Sequence, residues 1–272
     1  METQNKPSIA FSGNIPRYYD LYLGPMFFEP YARYMASKIE TIAPNRILEL
    51  ASGTGRLTKL LPTITNDNAE IIASDINPAM VSFGEENIKH DKIKWLQVDA
   101  VSLPFEDESF DCVVVQFGVM FYSDRIKAYQ EAKRVLKPGG TFIFATWDDI
   151  QFNAMPLITK ETLEYFFPVD TPAFYSVPFS YFDKKQINSD LTEAGFSNIK
   201  TETKQLKGFS ASAHDAAKGL IQGTPTVTAI EERDAEKLPL ILDNLLNKIT
   251  QKFGTSTLEV PLQAIVVSST KN

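Results

Sequence analysis

The residues best able to do chemistry in this chain lie in one run, Ile47-Leu-Glu-Leu-Ala-Ser-Gly-Thr-Gly-Arg56. An apolar stretch leads into Ala51, Ser52, Gly53, Thr54 and Gly55, five small residues that let a ligand approach the backbone closely. A short helix is predicted to follow through Leu57, Leu60 and Leu61, ending before Pro62. Its N-terminus would offer free N–H groups and a partial positive charge. In open α/β sheets, ligands bind beyond the carboxyl ends of the strands, which is where such a loop lies. The bland alternative is a tight strand–helix turn with no ligand.

Three carboxylates narrow the ligand. A dinucleotide fingerprint reads Gly-x-Gly-x-x-Gly with an acid about 20 residues on. Here Gly53-Thr-Gly55 is followed by Thr58 at the third glycine position. Asp75, ending the next predicted strand, suits a ribose in either reading. Glu49 discriminates, because a carboxylate just before the loop would repel a pyrophosphate and is well placed to hold an amino group. Asp99, in Gln97-Val-Asp-Ala100, sits within reach of an adenine amino group.

No side chain stands out as a proton acceptor. His90, in Ile-Lys-His-Asp91, reads as an exposed helix end, and His214, in Ser-Ala-His-Asp215, as part of a cap. His214, Tyr19 and Asp148 are the weak catalytic candidates; Tyr18, Tyr22 and Trp147 are read as lining. The single cysteine, Cys112, lies in the apolar run Asp111-Cys-Val-Val-Val115 and reads as a buried strand residue. No metal site is expected.

The elements that must position these groups are strands and helices in alternation from about residue 46 to 147. The runs Ile47–Leu50, Ile71–Ala73, Ile93–Val98, Cys112–Val115 and Thr141–Thr146 are short, apolar and unalternated, as in strands buried on both faces of a parallel sheet. Asn77 is predicted to cap a helix with Pro78 at its first position. Ser123 or Asp124 should cap another, with Ile126, Tyr129, Ala132, Val135 and Leu136 on one face, stopping at Pro138-Gly139-Gly140. Repeated units of this kind make a doubly wound sheet.

Around that core, Arg17 to Pro25 reads as an irregular aromatic strap. A helix then runs from near Pro30 to just before Pro44, with Tyr31, Met35, Ile39 and Ile42 inward. Phe152 to Phe182 is rich in Phe, Tyr and Pro, either an apolar substrate pocket or the core of a lid. A helix follows from Asp183 to Gly195, with Ile187, Leu191 and Ala194 on one side. Residues 198–206 form a strand. Ala211 to Phe253 is mostly helical, its stripe being Leu238, Leu242, Leu245, Ile249 and Phe253. Leu262–Val267 is a last strand, with Pro261 marking its start or a sheet edge.

Together these motifs resemble the class I S-adenosylmethionine-dependent methyltransferases. Glu-x-Ala-x-Gly-x-Gly is similar to that family's acidic Gly-x-Gly-x-Gly loop, with Ala51 in place of the first glycine. Asp75, then Asp99-Ala100 with Leu103-Pro-Phe105 and Ser109-Phe-Asp111, and Arg134-Val-Leu-Lys-Pro-Gly-Gly140 follow in order. That set resembles the subgroup with the ubiquinone/menaquinone-biosynthesis type of methyltransferase domain, over roughly residues 45–147. The resemblance implies a Rossmann-like, mostly parallel seven-stranded sheet with a largely helical C-terminal lid. It divides the chain into a strap and helix (1–45), a cofactor core (46–147), and lid helices with the last two strands (148–272). It implies S-adenosyl-L-methionine as cofactor, leaving S-adenosyl-L-homocysteine. Glu49 and the backbone of Ala51, Ser52, Gly53 and Gly55 would then contact the methionine part, and Asp75 both ribose hydroxyls. Ile76 and Met80 would pack near the adenine, and Asp99 and Ala100 would read its edge. Gln116 and Phe117 would face the sulfonium and substrate, and Tyr19 would also contact the cofactor.

Composition bounds the rest. At 43% hydrophobic and 22% charged, with a net charge of −7, the 272 residues are those of an ordinary globular protein and ill suited to nucleic acid. No stretch approaches the roughly 18–20 apolar residues of a membrane span. The start, Met-Glu-Thr-Gln-Asn-Lys, has no apolar signal region, which points to the cytoplasm. The expectation is methyl transfer to a small apolar or aromatic molecule at oxygen, nitrogen or carbon, by a monomer or homodimer. The alternatives are a nicotinamide-dependent oxidoreductase on the same fold and a non-catalytic interaction module.

Overall fold

The computed structural model describes residues 13–272, so the reading of the first residues lies outside it. Five parallel strands carry the core: β1 (Arg46–Leu50), β2 (Glu70–Asp75), β3 (Ile93–Gln97), β4 (Phe110–Gln116) and β5 (Leu136–Trp147). Two antiparallel strands, β6 (Ser197–Ser212) and β7 (Ser256–Thr270), complete one seven-stranded sheet in the order β3-β2-β1-β4-β5-β7-β6. The strand order reverses between β1 and β4, and that seam is where a ligand crevice opens in such sheets. Glu49 sits in the middle of it, in register with Ala73 of β2 and Val114 of β4.

The apolar runs on β1, β2, β4 and β5 are buried on both faces. β3 departs from the expectation. It is the sheet's edge, and its Lys94, Leu96 and Gln97 are exposed, because no strand covers its outer side.

Among the described residues the α-helices begin with α1 (Ile15–Tyr18), and the next in sequence is α2 (Glu29–Ile42). Between them the aromatic strap is not irregular but a π-helix, Tyr19–Phe28, so the chain is helical without a break from Ile15 to Ile42. The wide turn explains the misreading: it accommodates Pro25 and has no 3.6-residue pattern to see. Tyr31, Met35 and Ile39 of α2 are fully buried. After the small-residue loop, a 3-10 turn at Thr58–Leu60 leads into α3 (Leu61–Ile64), which contains Pro62 in its first turn instead of stopping before it. There a proline lacks no needed donor.

α4 (Pro78–Asn87) is capped by Asn77, and α5 (Arg125–Val135) by Asp124, not Ser123. α5 ends at Val135, and β5 starts at once, running through Pro138-Gly139-Gly140 where a turn was expected. Gly139, at φ +77°, donates to Lys271 O at 2.8 Å, and Lys271 returns a bond to Gly140 O at 3.0 Å, which draws the glycines into the sheet. After β5 come α6 (Ala154–Phe166), α7 (Lys184–Glu193), α8 (Ala213–Gln222), α9 (Thr226–Asp234) and α10 (Lys237–Phe253). α10 packs against α6, α8 and α9, whereas α7 packs against α5 and β6. α10 buries Ile241, Leu245 and Ile249 fully, while Leu238, Leu242 and Phe253 flank that seam half-buried. Pro261 lies inside β7, opposite Lys207 of β6; β5 covers β7 only from Ala264 onward, so the proline faces an unpaired side. Among the described residues, no helix is long and apolar enough to cross a membrane.

Candidate active site

Two strand ends build the site. Where β1 ends, Ala51 turns left-handed at φ +53°, and where β4 ends, Phe117 does the same at φ +56°. Non-glycine residues pay for that conformation, and such strain collects at functional sites. The two turns touch: a side chain on Gly118 would overlap the Ala51 methyl.

From Ala51 the loop is fixed by backbone bonds, Ser52 N–H to Ser74 O and Gly55 N–H to Ser52 O, both 2.9 Å. Gly55, at φ +87°, has no room for a side chain, since a Cβ would lie 2.5 Å from Ile88 Cδ1 and 2.8 Å from Trp95 Cη2. Gly53, at φ +55°, differs: a Cβ there would meet nothing within 4 Å. Its face is open to the cleft. Ser52 Oγ and Thr54 Oγ1 are buried yet have no hydrogen-bond partner among the described residues.

Two carboxylates frame this cradle. Glu49, 1% exposed, accepts from Thr58 Oγ1 at 2.6 Å, and burial pushes its pKa up to about 8. Asp75 accepts from Gly53 N at 2.9 Å on one oxygen and from Asn77 N at 2.9 Å on the other, and burial again raises its pKa. Met80 is buried behind it, whereas Ile76 is 61% exposed, an apolar surface free to cover a flat ring. Asp99 is exposed, with one oxygen closing its own turn on Val101 N at 3.1 Å; Ala100 is buried. Open glycine, unpartnered hydroxyls and two buried acids fit an aminoacyl-adenosine ligand, and Glu49 remains ill matched to a pyrophosphate.

Beyond Phe117 an aromatic chamber opens, part of it in contact with solvent. Phe117 stacks flat on Trp147 with ring centroids 3.8 Å apart, and Tyr19 of the strap stacks on Phe28 at 4.7 Å. Phe174, Tyr175 and Phe179 of the post-147 segment also line it, whereas Tyr165 is exposed at the far end of α6. Three of the chamber's polar side chains are turned into the protein. Asn153 exchanges bonds of 3.0 Å with the Gln263 backbone, and Tyr175 Oη donates to Leu220 O at 2.5 Å. Thr224 Oγ1 donates to Leu220 O at 3.1 Å. Tyr19 lines the chamber within the field of Asp75; burial and the Asp75 and Asp20 carboxylates push its phenol far above the ordinary range.

The other sequence candidates fall outside this arrangement. His214 is exposed on the first turn of α8, 3.8 Å from Asp215, and does not line the chamber. Asp148 is taken up by Gln263 Nε2 at 2.8 Å and by the Asp149 N–H. Gln116 Nε2 donates to Phe28 O at 2.7 Å, which ties β4 to the strap instead of facing the chamber. Sequence reasoning missed Arg56, Phe121 and Thr58. Phe121, 38% exposed, lines the chamber, and no local pattern marks it.

Comparison with known proteins agrees with the geometry. A family model described as a methyltransferase domain matches residues 48–144. A ubiquinone/menaquinone biosynthesis C-methyltransferase UbiE from Coxiella burnetii is 30% identical over 193 residues, 64% of this chain and 74% of that protein. Its namesake from Pectobacterium carotovorum is 39% identical over 137 residues, 49% of this chain, and the match spans only about half of that protein, 51%. Among solved structures, a possible histamine N-methyltransferase from Thermotoga maritima superposes with a TM-score of 0.58 at 18% identity, covering 96% of this chain and 98% of that one. Phosphoethanolamine N-methyltransferase 2 from Haemonchus contortus, bound to S-adenosylhomocysteine, gives 0.60 at 17% identity over 94% of this chain and 57% of that one. The oxidoreductase alternative finds no support in these matches. The chain belongs to the class I S-adenosylmethionine-dependent methyltransferases of the ubiquinone/menaquinone-biosynthesis type.

Proposed function

We propose that this enzyme methylates a small apolar, aromatic molecule held in the chamber beside Phe117. The observation that carries the reading is the chamber itself, walled by aromatic rings with Asn153, Tyr175 and Thr224 bonded into the protein. No lysine or arginine lines it, so an acceptor with a phosphate or carboxylate finds no partner there among the described residues. The reading includes a cytoplasmic location and no nucleic-acid partner, in keeping with the net charge of −7.

S-adenosylmethionine supplies an activated methyl group together with its leaving group, so the protein's task is alignment and exclusion of water. Glu49 and the Ser52 and Thr54 hydroxyls would hold the amino-acid end, and Asp75 the ribose. Ile76 and Met80 would flank the adenine, with Asp99 and Ala100 at its edge. Phe117, backed on one face by Trp147, would present its other ring face to the positive sulfur, a favourable electrostatic contact. Tyr19 would close the wall between the two spaces.

The test is to incubate the protein with isotopically labelled S-adenosylmethionine and fractionated cell extract. Label should pass to a low-molecular-weight, organic-extractable product heavier by one CH2. Label found only in macromolecules or in charged, water-soluble products would overturn the assignment.

A further inference from the structure

Arg56 follows Gly55 directly, yet its side chain leaves the loop for the strap. Its Nε donates to Asp20 Oδ1 at 2.9 Å, and a terminal nitrogen reaches Asp20 Oδ2 at 2.8 Å and also the Asp20 carbonyl. The other terminal nitrogen lies 3.6 Å from Glu29 Oε2. The guanidinium is only 17% exposed, and the backbone makes room for it: any side chain at Gly24 would overlap it. From the opposite side α8 presses on the strap through glycines. A Cβ on Gly219 would lie 2.6 Å from Tyr22 Cβ, and one on Gly223 3.1 Å from Tyr19 N. The strap is thus clamped between α8 and a cation that belongs to the cofactor loop. Tyr19, next to Asp20, is the residue so placed.

We propose that Arg56 is a positioning residue that couples the cofactor loop to the strap, holding Tyr19 at the wall between cofactor cleft and chamber. The proposal rests on the cofactor reading above. A planar fork suits the task, because it binds both carboxylate oxygens and a carbonyl at once, which an ammonium group cannot do. Movement of the Gly53–Gly55 turn on ligand binding reaches the strap through one side chain.

The experiment compares wild type, Arg56→Ala, Arg56→Lys and Lys59→Ala by amide hydrogen exchange and by calorimetry with S-adenosylhomocysteine. Lys59 is the control, since it pairs with Glu29 at 2.8 Å in the same cluster without touching Asp20. In Arg56→Ala the amides of Tyr18 to Leu23 should exchange faster, with β1 and β4 unchanged. Affinity for S-adenosylhomocysteine should fall about tenfold, inside the usual span of coupling between sites. Arg56→Lys should recover part of both effects, and Lys59→Ala should match wild type. Should Arg56→Ala not fold, Asp20→Asn replaces it and should give the same local loosening. Wild-type exchange and affinity in both variants would overturn the coupling alone. Failure of S-adenosylhomocysteine to bind wild type would overturn the cofactor reading and the coupling with it.

Discussion

Thr58 Oγ1 donates a 2.6 Å hydrogen bond to Glu49 Oε2, joining the helical turn after the glycine loop to the last buried residues of β1. Thr58 occupies the position where a dinucleotide loop carries its third glycine. The hydroxyl there steadies an acid that a pyrophosphate would not tolerate. One residue therefore both removes the dinucleotide pattern and supports the carboxylate that replaces it.

Glu49 makes stability and binding depend on pH in opposite directions. Burial holds its pKa at about 8, so between the ordinary value of 4.5 and about 8 the folded protein keeps a proton that the unfolded chain has released. Stability of the unliganded protein therefore falls as pH rises through that window. Pairing with the ligand's ammonium requires the proton to leave, so S-adenosylhomocysteine should bind more weakly as pH falls below about 8. Glu49→Gln should raise the melting temperature of the free protein above that pH, by a stabilisation on the order of 1–3 kcal/mol. The same variant should lose tenfold or more in affinity and flatten its pH dependence. Calorimetry across pH checks both; an unaltered pH dependence in the variant would show that Glu49 does not meet the ligand.

Gly53 and Gly55 share a left-handed backbone but should fail differently when replaced by alanine. At Gly53 nothing lies within 4 Å of the added methyl, so the cost to stability is the backbone strain, about 1–2 kcal/mol. The methyl would project into the open face, and binding of S-adenosylhomocysteine should be lost by more than a hundredfold. At Gly55 the methyl meets Ile88 and Trp95, adding about 1–3 kcal/mol of overpacking to the strain. Gly55→Ala should thus lower the melting temperature clearly more. Thermal melts with and without ligand separate the two, and equal binding in Gly53→Ala and wild type would remove the cradle.

What could be read in advance follows from range along the chain. β1, β2, β4 and the second half of β5 are legible because each carries a short, largely apolar run buried on both faces. Glu49, Gly53 and Asp75 are legible because one loop and the next strand end hold them all. β3 misleads, since an edge strand carries Lys94 and Gln97 that no longer need to be apolar. The chamber is illegible for the opposite reason: Tyr19, Phe117, Trp147, Phe179 and Thr224 come from five distant segments that only the folded sheet and lid bring together. The π-helix hides in the same way, because Gly24 and Pro25 look like a break until the Arg56 guanidinium is seen to need that space.

Tyr19 raises the question of whether a proton is taken by the protein at all. Its ring stacks on Phe28 at 4.7 Å, and its phenol is held protonated by burial and by the nearby Asp75 and Asp20 carboxylates. A group so far above its ordinary range is a poor base near neutral pH and serves as a donor or a wall. Tyr19→Phe keeps the ring stack and removes only the hydroxyl. The rate of methyl transfer should then fall less than tenfold, and its pH profile should keep its shape. A general base would give another result, a loss of about 10²–10⁴-fold with one limb of the profile gone. Tyr19→Ala should do more harm than Tyr19→Phe, because it opens the wall between cleft and chamber to water and frees the Phe28 ring. A Phe variant as damaged as the Ala variant, with an altered pH profile, would make Tyr19 the base and the hydroxyl the point of the strap.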